Sequence, residues 1–314
     1  MNSRRQESGI SLLELMAVSV VMSLLMVMVA ESMRTLAGVR GEQRAGFTLG
    51  DVADRVARRI TADVDFTTRV FASNPIDLEY LAALDLGVDF RSLGCRLPML
   101  TAHGAFEQDP PGVQETGNLL FLARLGPRLQ LDDALLDPAH SRVQTFQLCV
   151  TAPFAFDHGL DLRRFVSEPL VDYWELIDIT DPLQRADALK QLREAGILYA
   201  WDPSAPRTTG LFSISDAGEL TPLTITERIP CTEDDASSRP FTTRNLRLSQ
   251  NGKSGRFTTP LYARAFGTFP GGFEIKLDGA SAGKLLMLRM IVETDTPQGR
   301  TVQTEVRRLL STKG

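Results

Sequence analysis

The run from Ile10 to Ala30 constrains this chain more than any other stretch. Almost every residue in it is apolar or small, among them Leu12, Leu13, Leu15, Met16, Val20, Leu24, Leu25, Val27 and Val29. A bilayer core takes roughly 20 apolar residues as a helix. A helix is also the only single-segment structure that satisfies its own backbone in lipid. One full negative charge, Glu14, interrupts the run near its start. Placing an ionisable group there costs about 2.5–3.5 kcal/mol on insertion scales, so a carboxylate in this position calls for a compensating group. A free amine on Ile10, exposed by a cut after Gly9, would lie one helical turn away.

The residues Gly9-Ile10-Ser11-Leu12-Leu13-Glu14 follow a short leader, Met1 to Gly9, that carries Arg4 and Arg5. Together they resemble the class III signal of type IV pilins and type II secretion pseudopilins. Ile10 is a mild departure from the Phe or Met that usually begins the mature chain of that family. The resemblance covers about the first tenth of the chain. It implies that a prepilin peptidase cuts between Gly9 and Ile10 on the cytoplasmic side and methylates the amine of Ile10. It also implies that Glu14 pairs with the N-terminus of a neighbouring subunit during assembly. The domain plan that follows is residues 1–9 as leader and 10–30 as the transmembrane half of one helix. Residues 31–64 form its amphipathic half, and 65–314 a periplasmic or extracellular head.

Two plainer readings compete. A cleaved secretory signal needs small residues at its cut site, and the only position available, near Ala30, has bulky Met28 two residues earlier. A plain signal anchor leaves the cost of Glu14 unexplained. Arginines flank the span on both sides: Arg4 and Arg5 before it, Arg34, Arg40 and Arg44 after it. Long following domains translocate largely regardless of such charges.

The 314 residues are 43% hydrophobic and 23% charged, with a net charge of −5. About 250 residues remain beyond the helix, enough for a core that needs neither metal nor disulfide. The acidic balance argues against nucleic acid as a partner. The cluster Arg55, Arg58, Arg59 alternates with Asp51, Asp54 and Asp63, as on a solvated, salt-bridged helix face. Of three cysteines, Cys95, Cys149 and Cys231, two form one disulfide in an oxidising compartment, with the pairing left open. The alternative is buried, unpaired thiols.

Helical periodicity continues past the apolar run through Met33, Leu36, Ala37, Phe47, Leu49, Val52, Ala53, Val56, Ala57 and Ile60. A helix from Ile10 to about Asp63 would be about 80 Å long. Gly38, Gly41, Gly46 and Gly50 are predicted points of bending, each costing roughly 1 kcal/mol relative to Ala. A short helix is expected over Ile76 to Leu86 and a loop-rich insertion over Gly87 to Gly117, with a turn at Asp109-Pro110-Pro111-Gly112. Strands are expected at Asn118–Leu125, Gln144–Thr151, Leu170–Ile179, Ile197–Trp201, 244–248, 261–266 and 273–278. Asp181-Pro182 opens a helix with a stripe of Leu183, Ala186, Leu189 and Leu192 and a stop at Gly196. Residues 211–229 alternate weakly, and Cys231 to Arg239 reads as an exposed loop. Lys284–Thr294 and Arg300–Leu310 form a terminal hairpin, with Val302, Thr304, Val306 and Leu310 on one face and Arg308 interrupting it.

This order is an α+β pattern, a long N-terminal helix followed by mainly antiparallel strands. It resembles the pilin architecture, in which the helix packs across a sheet. The Tyr173-Trp174-Glu175 element and the terminal hairpin resemble the W-type minor pilin and the J-type minor pseudopilin. The K-type tip pseudopilin lacks the glutamate, which sets Glu14 against that assignment.

Catalytic signatures are missing. His103, His140 and His158 lie apart, with no zinc-ligand spacing, and Asp157-His158 with Asp161 has no nucleophile motif beside it. Calcium is the one cofactor to weigh. Asp132, Asp133 and Asp137 lack the alternation and glycine of an EF-hand loop, and Glu233-Asp234-Asp235 is contiguous, so its side chains diverge. The chain therefore reads as a non-enzymatic minor, tip-proximal subunit priming a type IV pilus. A J-type minor pseudopilin of a type II secretion system is the alternative. A membrane-anchored binding protein that does not polymerise is the further one. Its expected partners are the prepilin peptidase, the inner membrane, and other pilins or pseudopilins through the helix.

Overall fold

The computed structural model describes residues 12–87, 95–101, 115–131, 141–156, 159–234, 246–248, 272–279, 285–296 and 299–312. Its first element, α1, is one unbroken helix, Leu12–Asp65, of 54 residues. The expected bends at Gly38, Gly41, Gly46 and Gly50 do not interrupt it. A short strand β1 (Thr67–Val70) leads to α2 (Pro75–Ala82), where Asn74 accepts the Asp77 amide and Pro75 fills the first turn. Two brief strands, β2 (Leu84–Asp85) and β3 (Leu100–Thr101), precede the long pair β4 (Leu120–Gln130) and β5 (Arg142–Phe156). β6 (Gly159–Ser167) completes the central trio.

β7 (Leu170–Asp172) ends after three residues. The expected strand to Ile179 is corrected here: Asp172 accepts the Trp174 amide and caps a helical turn, α3 (Tyr173–Ile177). The Tyr-Trp-Glu element is therefore helical. α4 (Pro182–Glu194) starts at the Asp181 cap and stops at Gly196, whose φ is 84°. Its buried residues are Ala188, Leu189 and Leu192, while Leu183, expected in the stripe, is 81% exposed at the first turn.

β8 (Tyr199–Trp201), a turn α5 (Arg207–Gly210), β9 (Leu211–Ile214) and β10 (Leu220–Pro222) follow. β11 (Ile229–Glu233) overturns the exposed loop expected from Cys231, because Cys231, Thr232 and Glu233 pair with β6. β12 (Leu246–Leu248), β13 (Phe273–Asp278), β14 (Leu285–Asp295) and β15 (Thr301–Ser311) complete the order. The expected strand 261–266 and the turn at 109–112 lie outside the described residues.

All of these strands join one mostly antiparallel sheet, in which β7–β8, β13–β3 and β11–β2 pair parallel. Across the helix the sheet runs β1-β4-β5-β6-β12-β14-β15. Strand period two places Leu120 and Leu122 of β4, Leu160 and Leu162 of β6 and Leu286, Leu288 and Met290 of β14 on the face under α1. They form one core with Leu49, Val52, Val56 and Ile60 of the helix. The other face of β4 and β5 carries Phe121, Leu148, Val150 and Phe154, which pack with Phe71, Tyr80 and Trp201. Gly126-Pro127 does not end β4. The register shifts between Leu125 and Arg128, and this irregularity admits the proline while Thr145 Oγ1 donates to the Pro127 carbonyl at 2.6 Å.

Beneath β13 and β14 the face away from α1 is charged and still buried. Arg289 donates to Glu274 and Glu305, each at 2.8 Å, and Lys276, with a side chain 0% exposed, lies 3.5 Å from Glu115.

Candidate assembly helix and its anchor on the head

From Leu12 through Thr48 no residue of α1 is buried. Among them Leu12, Leu13, Leu15, Met16 and Met26 are more than half exposed. The hydroxyls of Ser19, Ser23, Thr35 and Thr48 are satisfied within the helix. Ser19 Oγ donates to the Met16 carbonyl and Ser23 Oγ to the Ser19 carbonyl, both at 2.8 Å. The segment is thus one apolar N-terminal helix long enough to cross a membrane.

Glu14 lies in the first turn of α1 and is exposed. Gly9 and Ile10 lie outside the described residues.

The apolar surface does not end where a bilayer would. Met33, Leu36, Val39 and Phe47 continue it and remain exposed. Burial begins at Leu49, where β14 and β15 come under the helix. Before that, Arg300 reaches Glu42 at 2.8 Å, and further along Arg308 reaches Asp54 at 2.8 Å. Arg308 interrupts the apolar face of β15 in order to hold the helix.

The far end of α1 is fixed by charge. Asp63, expected on a solvated face, is buried: its side chain and that of Arg164 on β6 are each 4% exposed. Arg164 Nε donates to one carboxylate oxygen at 2.7 Å and Nη2 to the other at 2.9 Å. Arg124 of β4 adds a contact at 3.3 Å. Arg164 Nη1 also holds Asp234 at 2.9 Å, which Arg59 of α1 reaches at 3.0 Å. Burial alone would disfavour the Arg164 charge, but the Asp63 carboxylate outweighs it and pushes the Arg164 pKa up. Sequence reading missed this anchor by counting Asp63 among the solvated charges of the helix. The signal was present in the spacing: Asp63 follows Val56 and Ile60 at steps of four and three on the buried face.

Glu233 and Asp234, weighed as calcium ligands, are engaged by Arg163 at 3.1 Å and by Arg59 and Arg164. Asp235, Asp132, Asp133, Asp137, Asp157, His103, His140 and His158 lie outside the described residues, and Asp161 is buried on β6.

The expected disulfide is not formed. All three cysteines are free. Cys149 stands opposite Val166 of β6, whose other neighbour is Thr232. Cys231 is therefore two strands away, about 10 Å, and on the opposite face, beyond the roughly 7 Å that a disulfide tolerates. Cys95 lies against the Pro153 carbonyl at 3.5 Å, four residues along β5 from Cys149, or about 13 Å. Burial pushes the Cys149 thiol up to about 11, with Arg164, which donates to its sulfur at 3.6 Å, opposing the shift. Burial likewise pushes Cys95 and Cys231 up to about 12.

No protein-family model matches this chain, and neither a curated protein nor a solved structure does so.

Proposed function

We propose that this chain is a non-enzymatic, minor, tip-proximal filament subunit of the type IV pilus and type II secretion pseudopilus class. It is held by α1 in the inner membrane, with its head in the periplasm, until it is assembled. The observation that carries this reading is the length of uncovered apolar helix. A bilayer accounts for roughly 20 residues of it. Met33, Leu36, Val39 and Phe47 lie beyond that span and have no cover from the head. A plain membrane anchor has no use for them. A helix that packs among other helices in a filament core does, since apolar surface of this extent marks an interaction site. The place of Glu14 within the apolar stretch fits the same reading, because the amine of a neighbouring mature chain could pair with it there. The large head is bulky for dense packing along a shaft, which favours the tip.

Mass spectrometry of the native N-terminus tests this directly. The mature chain should begin at Ile10 with one added methyl group, and retention of Met1 or a start near Ser32 overturns the proposal. Glu14→Ala should leave cleavage and folding intact while reducing methylation or incorporation. Wild-type levels of both would remove the pairing role.

A further inference from the structure

The part of α1 between its apolar run and the head is the least supported stretch of the helix. No residue from Glu31 to Thr48 is buried, and burial starts at Leu49. Gly38, Gly41 and Gly46 fall within this stretch. Glycine is called for where another atom comes too close for a Cβ, or where φ is positive. Neither condition is met at Gly38 or Gly46. An added Cβ meets nothing within 4 Å at either, and neither is among the glycines of positive φ. Each makes the helix about fivefold less favourable than alanine would. What glycine supplies at such a position is backbone freedom alone. Two threonines bracket the same stretch. Thr35 Oγ1 donates to the Glu31 carbonyl at 2.9 Å and Thr48 Oγ1 to the Arg44 carbonyl at 3.0 Å. A hydroxyl bonded four residues back weakens a helix slightly and often bends it.

On either side the helix is held. Toward its N-terminus lies an apolar run that a bilayer would clasp. Toward its C-terminus lie the core residues Leu49 to Val64 and the Arg164 clamp on Asp63. Between the two, one ion pair braces the helix among the described residues. Arg300, in the β14–β15 turn, reaches Glu42 at 2.8 Å, with its side chain 75% exposed. A pair so exposed is weak and is screened by salt. A soft segment between two held ones is the arrangement of a hinge, in which a few residues absorb the change of backbone angle. We infer that residues 38–46 are a hinge about which the head swings relative to the membrane-held half of α1, and that Arg300 on Glu42 is the strut that keeps it straight. The inference needs a membrane-held helix and stands apart from the filament reading.

The test uses the full chain in nanodiscs of phosphatidylethanolamine and phosphatidylglycerol, with spin labels on Met28→Cys and Leu309→Cys. Both positions are exposed and lie on opposite sides of the hinge. Pulsed electron resonance should resolve a straight and a bent population. Gly38→Ala and Gly46→Ala should each lower the bent fraction about fivefold. Arg300→Glu, which sets like charges together, should raise it severalfold, as should high salt. The swapped pair Glu42→Arg with Arg300→Glu should return it to the starting value. Thermal unfolding of the head should be unchanged by Arg300→Glu, since that side chain is largely in solvent. A single distance in the unsubstituted chain, or a bent fraction indifferent to the glycine substitutions, overturns the hinge. A bent fraction that Arg300→Glu leaves alone, or that the swapped pair fails to restore, overturns the strut.

Discussion

Substituting Asp63 by Ala should be among the most damaging changes on the helix, although it deletes a charged residue from an otherwise polar stretch. The carboxylate receives two hydrogen bonds from Arg164, at 2.7 and 2.9 Å, inside a site where both side chains are 4% exposed. Removing one partner of a buried pair costs about 3–5 kcal/mol because the other charge is left uncompensated. Arg164 keeps Asp234 at 2.9 Å, which places the loss at the lower end, about 3 kcal/mol. For a head of this size each kcal/mol moves the midpoint by about 2–4 °C, so a fall of roughly 6–12 °C is expected. Arg59→Ala is the internal control. It removes a pair whose arginine is half exposed, worth about 0–1 kcal/mol. Near-ultraviolet circular dichroism of the full chain in detergent reads the head, since both tryptophans, Trp174 and Trp201, lie there. Asp63→Leu combined with Arg164→Met should recover most of the loss, because an apolar pair of similar volume carries no desolvation cost. Equal midpoints for Asp63→Ala and Arg59→Ala, or strictly additive losses in the double variant, would refute this account of the anchor.

Three further expectations follow from the same structure. In the folded protein the thiols of Cys95, Cys149 and Cys231 should resist iodoacetamide at pH 8, since burial holds their pKa values near 11–12. All three should alkylate on denaturation without prior reduction, and a chain that takes up only one alkyl group and is about 2 Da lighter before alkylation would reveal a disulfide instead. Acidification should destabilise the head. Burial opposes the Glu305 charge, but Arg307 and Arg289 outweigh it, and Arg247 does the same for Asp295, so both carboxyls titrate below their ordinary range. A folded pKa below the unfolded one gives stability that is complete above about pH 4 and lost as pH falls further, so a midpoint that rises on acidification would contradict it. Gly38→Ala, Gly46→Ala and Gly50→Ala should each stabilise α1 by roughly 1 kcal/mol, because an added methyl meets open space at all three. Amide exchange over residues 38–50 should slow several-fold, and unchanged exchange would mean that these glycines do not limit the helix.

Much of the framework was legible because its signals are local. The long helix follows from unbroken apolar and then amphipathic spacing. The terminal hairpin follows from two strand-like runs about Asp295–Gly299, and α4 from Asp181-Pro182 and Gly196. Failures came where a side-chain cap or a distant partner decides. Leu170–Ile179 is rich in β-formers, yet the Asp172 side chain caps Tyr173–Ile177 into a helical turn. Phe47 fits the buried period but falls before the helix reaches the sheet. Glu274 and Lys276 alternate with apolar neighbours as on a half-solvated strand, but both are buried with ionic partners contributed from other segments. In the candidate site, Glu14 was marked by the apolar residues around it. Asp63 carried a spacing signal on the buried face, but its partner Arg164, 101 residues further on, carried none.

The way α1 lies across the head also bears on mechanical load. It passes from β14 and β15, where Arg308 meets Asp54, to β4 and β6, where Asp63 is clamped. Traction along the rod toward its N-terminus is therefore taken up in shear, over many apolar rows at once, with the firmest hold at the trailing end. A rod attached by a single strand would instead peel one contact at a time, and would part from its cargo at far lower tension.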